Sequence, residues 1–262
     1  MENSKNNNTN KHVVLVHGAG QGAWCWYKVT TRLRLSGYRV TVPDLAASGI
    51  DPRQIDEVRT FAEYSEPLME ILRSLPDGER VIIVGHSLGG LNIALAMEKF
   101  PEKVAAAVFV TAFRPDWTSP PSSVYDELSK ASGSYWMDTV FKSYSNRPTT
   151  MLFGPQFLKS RLYQLCSPED VTLGTTLLRI GSLFIEDLKD QPPFSKNRYG
   201  SVNTVYIICA QDQAITVEYQ RSMIAKSPVK EVKTIKNADH MAMLSTPEEL
   251  SQYLMDIAEA YA

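Results

Sequence analysis

Several things are scarce in this sequence. No apolar run approaches the roughly 20 residues that a helix needs to cross a bilayer. The longest, such as Val104 to Val110, are strand-sized. There is no basic excess, since 27 Lys and Arg stand against 29 Asp and Glu. Without a positive footprint, neither nucleic acid nor a membrane is expected as a partner. Cysteine is sparse, and Cys25, Cys166 and Cys209 are odd in number and show no paired spacing. That excludes a disulfide framework and points to free thiols in a reducing, cytoplasmic compartment. None has a His or a second Cys at ligand spacing, so no metal is expected. Histidine is also rare, with only His12, His17, His86 and His240 available as bases.

What is present suffices for a packed domain. The chain has 262 residues, 44% hydrophobic and 21% charged, which fits one α/β domain of ordinary size. Residues Met1 to Lys11 are polar and Asn-rich, lack the apolar segment of a secretory signal, and read as a disordered tail. Strand and helix signals then alternate. His12 to His17, Tyr38 to Val42, Arg80 to Val84 and Val104 to Phe109 read as strands. Tyr27 to Ser36, Thr60 to Leu75 and Leu88 to Phe100 read as helices between them. The alternation stops after Phe113. Residues 114–195 hold many Pro, Ser and aromatic residues, with helical pieces at Pro155 to Leu165 and Pro168 to Leu178. It resumes with a strand at Thr204 to Cys209, a helix at Val217 to Ser227, a strand at Lys230 to Ile235 and a helix at Pro247 to Tyr261. Such alternation implies a mostly parallel sheet flanked by helices, with residues 12–113 and 196–262 as the core and 114–195 inserted over it.

The sharpest motif is Gly85-His86-Ser87-Leu88-Gly89, a G-x-S-x-G between an apolar strand and a helix. That context fits a nucleophile elbow: a tight turn with small flanking residues that lifts the Ser to the N-terminus of a helix. A Ser hydroxyl needs a base. His12 and His17 bracket the first strand and His86 lies inside the elbow, so His240, in a loop after the last strand, is the candidate. The acid should lie between Ser87 and His240, just past a strand. Asp212 meets that condition, Asp116 is a weaker rival, and Asp239 is too close to His240 to face its ring. The backbone amides of Leu88 and Ala19 are the expected oxyanion donors, the second from the loop His17-Gly18-Ala19-Gly20. His17 reads as structural. The same loop also satisfies G-x-G-x-x-A, with Asp44 closing a second strand. This dinucleotide reading is disfavoured because Trp24 and Trp26 crowd the required helix start and because it leaves Ser87, Asp212 and His240 unexplained. No organic cofactor is expected.

Together His17 to Trp24, Asp44 to Gly49, Gly85 to Gly90, Leu165 to Asp170 and Ala238 to Met241 resemble the plant methylesterase and hydroxynitrile lyase family of α/β-hydrolases, over residue 11 to the C-terminus. Tyr64 to Glu70 is also similar to the alkaloid methyl-ester hydrolases of that family. The resemblance implies an α/β-hydrolase fold with a helical cap over an apolar pocket. It also implies hydrolysis of the methyl ester of a small hydrophobic hormone or alkaloid through an acyl-enzyme, with decarboxylation following in some alkaloid cases. The cap then offers Tyr125, Trp136, Met151, Phe153, Leu158, Leu162, Leu183 and Phe184 as pocket candidates. Lyases of the family carry Thr where this chain has Gly18 and Lys where it has Met241, so both positions favour the esterase. Hydroxynitrile lyase, and a hydrolase-fold receptor with little turnover, are the alternatives. A homodimer is compatible with the sequence, which does not set the oligomeric state.

Overall fold

A computed structural model describes residues 11–126 and 133–262. The polar tail therefore lies outside the described residues except for Lys11. Its ammonium pairs with Glu259 at 2.7 Å, so this last tail residue is anchored.

Six parallel strands form the main sheet in the order β2-β1-β3-β4-β8-β9. They are β1 (His12–Val16), β2 (Arg39–Thr41), β3 (Val81–His86), β4 (Val104–Val110), β8 (Thr204–Cys209) and β9 (Glu231–Ile235). The inner strands β1, β3, β4 and β8 are buried along their whole length, which explains their unbroken apolar character. Edge strand β9 alternates half-buried and exposed positions and is buried only at Ile235.

The pleat divides β1 between two apolar layers. Val14 and Val16 face α2 (Phe61–Ser74) and α3 (Gly89–Lys99) through Leu68, Met69, Leu72 and Leu91. Val13 and Leu15 face the other way, toward α1 (Tyr27–Leu35) and the C-terminal helix α6 (Pro247–Tyr261) through Val29, Leu33, Leu250 and Leu254. Each such side chain contributes about 1.5–3 kcal/mol by leaving water. Side-chain caps start three helices: Thr60 accepts from Glu63 N, Ser167 from Asp170 N in α4 (Pro168–Leu177), and Thr216 from Tyr219 N in α5 (Val217–Lys226).

Because every pairing in the main sheet is parallel, the loops after β1, β3, β4, β8 and β9 all leave from its carboxyl edge. Between β4 and β8 the chain departs from the sheet. The short helical pieces expected there occur at Pro155–Phe157, Leu158–Leu162 and α4. The segment is not helical throughout. Strands β5 (Val140–Lys142), β6 (Thr150–Leu152) and β7 (Gly181–Ser182) make a second, antiparallel sheet. Strands of two or three residues are too short to display a period of two, which is why the pattern hid them.

The segment between β4 and β8 is tied to the rest of the fold at several points. Arg179 donates to the carbonyls of Gly49, Asp51 and Arg53, and its own amide donates to Gly20 O. The Tyr135 hydroxyl donates to Ala214 O at 2.7 Å. Leu165 N donates to Asp239 at 2.8 Å.

Candidate active site

At the end of β3 the backbone turns sharply, and Ser87 takes φ 53°, in the left-handed region. A non-glycine residue there is strained by about 1–2 kcal/mol, so the surroundings must hold it. Ser87 O accepts from Gly90 N and from Phe113 N, both at 3.0 Å. The turn closes only because its flanks lack side chains. A Cβ at Gly85 would stand 2.5 Å from Gly89 O, and one at Gly89 would stand 2.7 Å from Val16 O. Ser87 is thereby presented at the start of α3.

His240 follows β9, and Asp212 follows β8. The His240 Nδ1 lies 2.7 Å from Asp212 Oδ2. Both residues are buried. The carboxylate is engaged on both oxygens. Oδ2 also accepts from the Thr111 hydroxyl, and Oδ1 accepts from Ala214 N at 2.7 Å and Ile215 N at 2.9 Å. A carboxylate so saturated accepts the Nδ1 proton and leaves the Nε2 lone pair as the basic face of the ring.

One cavity brings these parts together. Ser87, His240, Gly18, Ala19, Leu88 and Met241 all line it. Among the described residues neither Ala19 N nor Leu88 N donates a hydrogen bond, and the Ser87 hydroxyl makes none. Two free amides thus stand beside a free hydroxyl, an arrangement able to receive developing negative charge. Gly18 comes very close to the serine, because a Cβ there would be 2.8 Å from Ser87 Cβ and 3.3 Å from Ser87 Oγ.

The apolar wall differs in part from the candidates named from sequence. Trp136, Phe153, Leu162 and Leu183 line the cavity. Tyr125, Met151, Leu158 and Phe184 do not. Tyr125 stands behind Phe113, ring against ring at 5.0 Å, and its hydroxyl donates to Leu183 O. Met151 instead lines a separate groove with Arg147, Arg179 and Ile180. Leu158 is buried in the apolar cluster around Phe157. Phe184 sits at φ 51° with its ring 5.1 Å from that of Tyr64. Sequence reasoning missed Gln21, His86, Phe113, Tyr135, Phe157, Ala214 and Ile215 in the wall. The adjacency of Ala214 and Ile215 to Asp212 was an available signal. The others depend on how the inserted segment packs, as in the stack of Phe153 on Phe157 at 5.0 Å.

The remaining titratable residues do other work. His17 donates from Nδ1 to Gly18 O at 2.8 Å and accepts from Leu45 N at Nε2, and burial lowers its pKa. His86 donates from Nε2 to His240 O at 2.8 Å, and burial first, then the neighbouring His240, keep it well below the usual histidine range. It therefore remains neutral. Asp239 turns away from the imidazole and accepts from Leu165 N, Met241 N and Ser245 Oγ. Among the described residues Asp116 accepts hydrogen bonds from the nearby Thr118 and Ser119. Asp44 is committed to Ala23 N and Ile50 N, so it is not free to hold a ribose. Among the described residues no cluster of His, Cys, Asp or Glu has the grouping of a metal site.

Comparison with known proteins gives a consistent picture. A family model described as the Alpha/beta hydrolase family matches residues 13–252. The chain is 50% identical to Methylesterase 3 of Arabidopsis thaliana, over 96% of this chain and 97% of the relative. It is 49% identical to Salicylic acid-binding protein 2 of Nicotiana tabacum, over 96% and 98%. Polyneuridine aldehyde esterase of Rauvolfia serpentina is 44% identical over 99% and 100%. A crystal structure of polyneuridine aldehyde esterase superposes with a TM-score of 0.91 at 45% identity, over 95% of this chain and 99% of that one.

Proposed function

The chain belongs to the alpha/beta hydrolase family, and from that premise we propose that it is a serine esterase cleaving the methyl ester of a small hydrophobic acid. The observation that carries the reading is the single cavity that Ser87 shares with His240 and with the two residues whose amides are undonated. His240 Nε2 takes the Ser87 proton while Oγ bonds to the ester carbonyl carbon, and the resulting oxyanion accepts from Ala19 N and Leu88 N. Asp212 holds the imidazolium. The C–O bond to the alcohol breaks, His240 returns the proton, and methanol leaves. A water then attacks the acyl-enzyme, giving its proton to His240, and the acid departs as Ser87 recovers its hydrogen.

Residues 114–195 act as the cap in this reading, with Trp136, Phe153 and Phe157 as the wall for the acyl group. Relatives named methylesterase and polyneuridine aldehyde esterase support a plant metabolite, hormone or alkaloid, as that group. Gly18 and Met241 oppose a lyase. Gly18 leaves room above Ser87 for an ester carbonyl, and Met241 offers no charge for a departing cyanide. No described helix is long and apolar enough to cross a membrane. The free cysteines support a cytoplasmic setting.

The test is methanol release from a panel of methyl esters (salicylate, jasmonate, indole-3-acetate and alkaloid aldehyde esters), with mandelonitrile as a lyase control. The wild type should release methanol and Ser87→Ala should not. Hydrolysis retained in Ser87→Ala, or cleavage of mandelonitrile alone, refutes the reading.

A further inference from the structure

Gln21 lies in the loop after β1 that also supplies Ala19. It is 2% exposed and lines the cavity. Its Oε1 accepts the hydroxyl of Tyr163 at 2.8 Å, which braces the amide against the inserted segment and turns Nε2 the other way. Nε2 is enclosed yet has no hydrogen-bond partner among the described residues. A buried amide N–H left unpaired is costly, and a buried orphan on a cavity wall is satisfied most simply by what enters the cavity. Trp24 and Trp26 also have unpartnered indole N–H groups, but neither residue lines the cavity. His86 does line it and its Nδ1 is unpartnered, but with Nε2 donating to His240 O that atom is an acceptor, so Gln21 Nε2 is the buried, unpartnered side-chain donor among the described lining residues.

We propose that Gln21 is a specificity-determining residue whose Nε2 donates a hydrogen bond to a second, uncharged carbonyl oxygen on the acyl group, beyond the scissile ester. The proposal rests on the esterase reading above and deepens it. The substrate group must be an acceptor, because Nε2 can only donate. It is not the scissile carbonyl, which has Ala19 N and Leu88 N. It is uncharged, because no Lys or Arg lines the cavity and a carboxylate there would be an uncompensated buried charge. A ketone, aldehyde or second ester accepts without bringing a donor of its own into the apolar wall of Trp136, Phe153 and Leu183.

The experiment compares kcat/KM for methyl octanoate with that for its keto derivatives, each bearing one additional ketone at a successive carbon of the chain. The wild type should prefer at least one keto ester by about tenfold. That ratio should fall toward unity in Gln21→Leu and Gln21→Met, and part of the way in Tyr163→Phe, which unties the brace. A readout that needs no folded variant is the side-chain amide resonance of Gln21 in wild-type protein labelled at glutamine. It should move on adding the preferred keto acid and stay in place with octanoate. A wild type indifferent to every ketone position, a preference that survives in the Gln21 variants, or an unmoved amide resonance overturns the proposal while leaving the esterase intact. A wild type that hydrolyses no methyl ester removes the esterase reading and this proposal with it.

Discussion

The Thr111 hydroxyl donates to the same Asp212 oxygen, Oδ2, that lies 2.7 Å from His240 Nδ1. Thr111 ends the run of β4 at φ 36°, an uncommon backbone conformation for a β-branched residue. The residue after β4 thus donates to a carboxylate in the loop after neighbouring β8, and that carboxylate holds the imidazole.

From this relationship follows an order of effects in steady-state kinetics. Asp212→Asn should lower kcat by about 10⁴-fold, since an amide cannot enforce the productive tautomer. Thr111→Val removes one charge-assisted hydrogen bond and should lower kcat by about tenfold. Asp116→Asn should change kcat by less than about twofold, as this carboxylate serves only its own turn. An Asp116 variant as damaged as the Asp212 variant would reassign the acid.

A second expectation concerns Gly18. Its missing side chain would lie 2.8 Å from Ser87 Cβ. The double variant Gly18→Thr with Met241→Lys should lose at least about tenfold in ester kcat/KM, since crowding and a new buried charge act at the reacting centre. Hydrolysis at the parental rate would show that neither position governs the choice of reaction.

Asp239 predicts an effect on stability. It accepts from Leu165 N, Met241 N and Ser245 Oγ, joining the inserted segment to the His240 loop. Asp239→Ala orphans these donors at about 1–3 kcal/mol for each that stays buried. The melting temperature should drop by several degrees, at about 2–4 °C per kcal/mol for a chain of this size. An unchanged melting curve would mean that water replaces the carboxylate freely.

The histidines set the acid limb of stability. Burial, with Arg39 adding to it, lowers His12 from 6.5 to about 4. Burial also lowers His17 and His86. In each case the unfolded chain binds the proton more readily than the folded one, so stability rises with pH across the window. The contribution is complete above about pH 6.5 and is lost as pH falls toward about 4. Thermal melts from pH 7 to pH 4.5 should show a steady decline. His12→Gln should flatten it in part, because the glutamine cannot take up the proton. A melting temperature independent of pH over that range contradicts this account.

The alternation of apolar runs and amphipathic stretches was enough to place the strands and helices of the core. Strand β8 and helix α6 occur with the bounds that periodicity suggests. Those signals are local: a buried parallel strand must be apolar throughout, and a helix must keep one apolar stripe. Ser87, Asp212 and His240 could likewise be nominated from a turn motif and from chain order. Their common cavity, the support of Asp212 by Thr111, and the exclusion of Tyr125, Met151, Leu158 and Phe184 from the wall were decided by tertiary structure alone. The short strands β5 to β7 lack the length to signal themselves, and Phe153 stacks on Phe157 just beyond β6. Which side of a buried ring meets a cavity depends on contacts between residues far apart in the chain, and no local pattern encodes that.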